Sequence, residues 1–173
     1  MLTNNWYNVF KMGFGMPECD SLYRDTSGNY RRSSARDLNR VWPKIFMPSV
    51  APRTDYGDGV VFGSGTTPPT IDDYSLESIL SGISFTYTVE VSADGTTRTA
   101  VYTIVNNNST DITISEYGHV ETTYMWKGAT NDSNNSYSGA LLLSRSLLNE
   151  PITIPALEAG SVTIIEKLSI PGV

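Results

Sequence analysis

Residues Ile83-Ser84-Phe85-Thr86-Tyr87-Thr88-Val89-Glu90-Val91 place apolar side chains at odd positions and polar ones at even positions. That two-residue period belongs to a strand with one face in a core and one in solvent. Ala93-Asp94-Gly95 predicts a turn, and residues 98–105 resume the strand pattern, so the two segments read as a hairpin. Upstream, Gly59-Val60-Val61-Phe62-Gly63 reads as a short buried strand. It enters a turn-rich connection at 64–70, and then a short helical turn over 72–77 that Asp72 or Asp73 would cap. Downstream, further strands are expected at 111–117, 119–126, 140–148, 151–155 and 161–170. Gly118 marks a bulge or a tight connection. The segment bounded by Pro151 and Pro155 belongs at an edge.

Short strands joined by polar turns, without helical crossovers, predict an all-β fold. The expected architecture is an antiparallel β-sandwich, Greek-key or jelly-roll-like, with an irregular N-terminal extension. A sandwich is preferred to a barrel. Trp6, Tyr7, Val9, Phe10, Met12 and Phe14 are spaced between polar residues and could start a strand or lie as an apolar arm on the body. Residues 15–58 read as long loops with short strands, because Pro43, Pro48 and Pro52 interrupt any longer element. The expected organisation is therefore an arm and irregular contact region at 1–58 and a β-sandwich body at 59–173.

At 173 residues the chain can bury one core without disulfides, and its single Cys19 cannot form one internally. Serine and threonine supply 39 residues and asparagine 12, a composition suited to solvent-facing sheet surfaces and turns. No apolar run is long enough to span a membrane, and the opening residues lack the basic and apolar regions of a secretory signal. Synthesis in a cytoplasm follows as the expectation. Residues 1–53 carry eight Lys/Arg and four Asp/Glu, or +4, whereas 54–173 carry four and fourteen, or −10, together the net −6. The acidic body disfavours direct nucleic-acid binding. The basic N-terminal part could instead dock on an acidic neighbour.

The chemical alternatives are thin. His119 is the only histidine, with Glu116 and Glu121 near it in sequence, and no serine occupies a nucleophile elbow. On a continuous strand Glu121 would share the His119 face and Glu116 would oppose it. One cysteine and one histidine cannot supply a structural zinc site. Asp55 with Asp58, or Asp72 and Asp73 with Glu77, could offer oxygens to calcium, but neither group has the EF-hand order, and turn formation is the simpler reading. No cofactor is expected, and the chain reads as non-enzymatic. The aromatic residues leave a glycan-binding surface open as the alternative.

Two passages carry a family resemblance. One is Gly59-Val60-Val61-Phe62-Gly63-Ser64-Gly65-Thr66-Thr67-Pro68-Pro69-Thr70-Ile71-Asp72-Asp73-Tyr74-Ser75-Leu76-Glu77. The other is Leu142-Leu143-Ser144-Arg145-Ser146-Leu147-Leu148-Asn149-Glu150-Pro151-Ile152-Thr153-Ile154-Pro155, followed by Gly160-Ser161 and a strand. Together they resemble small β-rich proteins among the virion structural proteins of tailed bacteriophages and prophages. The stretch Pro155-Ala156-Leu157-Glu158-Ala159-Gly160-Ser161 is longer than the Pro-x-Gly-x-Ser closing pattern of that group. The resemblance implies a non-enzymatic component of a capsid, neck or tail, made in the host cytoplasm and located in the virion. Its partners would be other virion proteins and further copies of itself, with no membrane. The preferred contact residues are Trp6, Tyr7, Phe10 and Phe14 as apolar anchors, and Arg31, Arg32 and Arg36 facing an acidic neighbour. The alternative is a receptor- or glycan-binding appendage.

Overall fold

The computed structural model describes residues 1–13, 22–32, 49–94, 96–126 and 136–167. In chain order these form α1 (Asn4–Gly13), β1 (Leu22–Arg24), β2 (Tyr30–Arg32), β3 (Pro52–Arg53), β4 (Gly59–Gly63), β5 (Ile83–Val91), β6 (Thr97–Asn106), β7 (Ile112–Trp126), β8 (Ser136–Ile154) and β9 (Ala159–Lys167). Among the described residues the fold is all-β with one short helix, and the strands make two sheets.

β7 is the spine of the larger sheet. β8 pairs along its whole length, so β4 (at Glu116–Val120) and β2 (at Trp126) must share its other edge. β1 extends the sheet beyond β2, and β3 extends it beyond β4. The smaller sheet has the order β5-β6-β9. Its hairpin matches the alternation in the sequence, with Ile83 opposite Asn106 and Val91 opposite Arg98.

The sheets share one core. Val60 and Phe62 of β4 and Ile114 of β7 pack with Tyr102 and Ile104 of β6 and with Val162 and Ile164 of β9. The Phe62 ring lies 5.2 Å from Tyr102 and 5.8 Å from Phe85. Burying each such ring or branched side chain contributes on the order of 1.5–3 kcal/mol. The opposite face of the larger sheet is buried as well. Val61, Val120 and Leu142 pack there with Leu76 from the 64–80 connection. This explains why Gly59–Gly63 is buried at every position and reads as an unbroken apolar run.

Several expectations need correction. The sheets are not purely antiparallel, because β3 runs parallel to β4. Residues 4–13 form a helix and not the start of a strand. Asn5 and Val9, four residues apart, fall on one helical face and are both buried. The Asn5 amide group bonds the backbone of Arg24 through both its oxygen and its nitrogen. Just before the helix the chain joins the larger sheet, where Thr3 N donates to Leu143 O at 3.0 Å and Leu2 bridges Ser144. β1, β2 and β3 belong to the sheet that β4 and β7 build, and Asp58 lies in the bend that joins β3 to β4.

Residues 72–77 form turns without a helix, because Asp73 and Glu77 are drawn onto Arg145 and nearby backbone amides. Gly118 does not divide a strand but pairs in the middle of β7, opposite both Val61 and Arg145. β8 likewise runs through both segments expected at 140–155. Between the pairs Ile114–Ile152 and Glu116–Leu147 it places residues 148–151 against Ser115 alone, an irregularity of the bulge kind.

Candidate functional site

Among the described residues, two charged clusters and an open cleft gather polar side chains. The first cluster surrounds Arg145, which β8 presents beside Gly118 on the outer face of the larger sheet. Its Nε donates to Glu116 Oε2 at 2.6 Å, Nη1 to Asp73 Oδ2 at 2.9 Å and Nη2 to the Thr67 carbonyl at 3.1 Å. Glu116 is fully buried, and its other oxygen accepts the Gly65 and Ser78 amides, each at 3.0 Å. Glu77 Oε2 accepts the Thr66 and Thr67 amides. Burial pushes Asp73 up, but the Thr70 amide and the Arg145 guanidinium outweigh it and hold its carboxyl below the usual range. Every carboxylate here faces a guanidinium or backbone donors, which fixes the 64–78 connection to the sheet.

The second cluster crosses between the sheets. Ser144 Oγ lies 3.0 Å from His119 Nδ1. His119 Nε2 stands 2.9 Å from Glu166 Oε1. Serine, imidazole and carboxylate thus occur in hydrolase order. The histidine, however, is buried between the sheets, and Glu166 is bonded by Arg98 Nε at 2.7 Å and also by Arg98 Nη2. The cluster ties β7 to β6 and β9. Burial pushes the Glu166 pKa up, but the contacts with His119 and Arg98 outweigh it, so the carboxyl titrates below the usual glutamate range.

On a continuous strand Glu121 is expected to share the His119 face and Glu116 to oppose it. Glu116 does face the Arg145 side, while Glu121 accepts the Ser49 amide at 3.2 Å. The acid that reaches His119 is Glu166, 47 positions later, and nothing local in the sequence marks it. Among the described residues no group of three or more His, Cys, Asp or Glu side chains could hold a metal ion.

The cleft lies between the start of α1, the β1–β2 hairpin and the 72–73 turn, with a volume of about 290 Å³. Asp25 shapes the hairpin by accepting the Ser27 and Asn29 amides, at 3.0 and 2.9 Å, and the Arg31 Nε at 2.8 Å. Arg24 lies over Tyr74, with its Cζ 3.8 Å from the ring centre, and 5.8 Å from the centre of Tyr30. This geometry suits cation–π attraction.

Of the preferred contact residues, Trp6, Tyr7 and Arg31 have described side chains. Trp6 and Tyr7 meet edge to face at 5.2 Å on α1, with Tyr7 exposed and Trp6 half-buried. Arg31 pairs with Asp25 of its own chain. The backbones of Phe10 and Arg32 lie in α1 and β2. The side chains of Phe10 and Arg32, together with Phe14 and Arg36, lie outside the described residues. Sequence reading passed over Tyr30 and Arg24, whose closeness depends on the hairpin turn.

These features define a mixed-sheet β protein whose buried charges brace its own loops and sheets. No family model, no curated protein and no solved structure matches the chain.

Proposed function

We propose that this chain is a non-enzymatic structural component of a tailed-bacteriophage virion, making repeated protein–protein contacts in a capsid, neck or tail. The observation that carries the reading is the apolar stripe on β5. Phe85 packs on the core, and the same face continues through Tyr87, Val89 and Val91, which are 45%, 39% and 54% exposed. Among the described residues β5 pairs only with β6, and no described strand pairs with its second edge beside that stripe. Unpaired edges with adjacent apolar side chains are suited to strand addition by a neighbouring subunit.

The family resemblance acquires physical content from Arg145. This residue of the second passage bonds Asp73 and Thr67 of the first, so the two passages form one braced unit. The finer architecture belongs to the same proposal: a β-sandwich with a Greek-key or jelly-roll-like path. β9 returns beside β6 while β7 and β8 remain paired in the other sheet, which supports it.

Mass analysis of purified virions tests the assignment. The chain should be present at fixed stoichiometry, and its absence from intact particles would overturn the proposal.

A further inference from the structure

We infer that the cleft between α1 and the β1–β2 hairpin binds a neutral hexopyranose. Its walls combine aromatic surface with hydrogen-bonding groups of both kinds. The Tyr30 ring stands 68% exposed at the rim. Such a ring offers a flat apolar face to the C–H side of a sugar and a hydroxyl to its periphery. Arg24 is held beneath by its stacking on Tyr74 and by a 3.1 Å bond from Nε to the Gly28 carbonyl. Its two outer nitrogens hold no hydrogen bond within the described residues.

Asn4 Nδ2 donates to Asp72 Oδ1 at 2.7 Å. Asn4 Oδ1 and Asp72 Oδ2 remain as acceptors on the cleft wall, without partners among the described residues. Planar guanidinium, carboxylate and amide groups match pairs of adjacent hydroxyls, each of which both donates and accepts. A concave site with a few fixed polar groups around an apolar surface is the usual form of a small-molecule pocket.

Charge selects the ligand class. Arg24 and Asp72 carry opposite unit charges, and Asp73 is turned onto Arg145. The chain's net charge of −6 further disfavours a polyanion. A neutral sugar therefore fits better than a uronic or sialic acid. The structural parts are rigid: Asn5 locks α1 to the backbone of Arg24, and Asp25 locks the hairpin turn.

Protein-observed NMR titration of the full chain tests this inference. One arm uses glucose, galactose and mannose oligosaccharides, and the other uses sialyl and glucuronyl sugars. At least one neutral series should shift the amides of Asn4, Arg24, Tyr30 and Asp72 in a saturable way. Tyr30→Ala and Asp72→Asn should each weaken that binding at least tenfold while leaving the thermal transition unchanged, since both side chains are exposed. Binding that survives both substitutions, binding by the acidic sugars alone, or no binding in either arm would overturn the inference. The experiment needs no virion, so its outcome is separate from the structural assignment.

Discussion

Arg145 Nε donates to Glu116 Oε2 at 2.6 Å across the β7–β8 pair, and both side chains are buried. Removing one member of such a pair leaves an uncompensated charge in the interior. Arg145→Ala should therefore cost about 3–5 kcal/mol, read from urea unfolding midpoints. Glu116→Gln combined with Arg145→Met should cost less than the sum of the single changes, because the double variant leaves neither charge buried. Strict additivity would show that the two residues do not act as a unit.

Gly65 sits against the same carboxylate. Its amide donates to Glu116 Oε1 at 3.0 Å, and a Cβ there would collide with that oxygen and with the Glu77 side chain. Gly65→Ala should destabilise the protein by about 1–3 kcal/mol, the scale of an overpacked core. It should also speed hydrogen exchange at the Thr66, Thr67 and Ser78 amides. Unchanged exchange at Ser78, whose amide Glu116 accepts, would show that Glu116 does not hold the connection.

Acid should unfold the protein through its depressed carboxyls. Glu166 is opposed by burial but held down by His119 and Arg98; Asp73 is likewise opposed by burial but held down by Thr70 and Arg145. A carboxyl whose folded pKa lies below its unfolded value of ~4 contributes stability that is complete above that value and lost as pH falls through the folded pKa. Urea midpoints should be flat above about pH 5 and fall below about pH 4. Glu166→Gln should flatten the descent. The exposed Asp94 belongs to a different class: bonds from the Ser92 hydroxyl and the Thr96 amide hold it down to about 2, so the β5–β6 turn should keep its geometry to lower pH. Carboxyl NMR titration distinguishes the two groups.

The β5 stripe should matter for assembly and little for folding. Val89→Thr with Val91→Thr exchanges exposed side chains and should change stability by no more than about 0.5 kcal/mol per site. Incorporation into particles, measured by mass analysis after complementation, should fall. Normal incorporation would remove the stripe as a contact surface.

Some of this was legible because it depends on one strand at a time. The alternation at 83–91 defines β5 to the residue, and the apolar run at 59–63 defines β4. Other elements were hidden by partners far away in the chain. Residues 4–13 show aromatic spacing compatible with an arm, but the helix is secured by Asn5 on the Arg24 backbone and by Val9 in the interior. The acidic run at 72–77 looks like a capped helical turn until Arg145 draws its carboxylates away.

The sequence by itself determined the all-β character, the hairpin and its turn, because alternation and turn chemistry act over a few neighbouring residues. Only the tertiary structure decided that Arg145 braces the 64–78 connection, that Glu166 meets His119, and that Arg24, Tyr30 and Asp72 border one cleft. These meetings follow from strand register and sheet packing, which bring together groups separated by tens of residues. A local period carries no record of its distant partners.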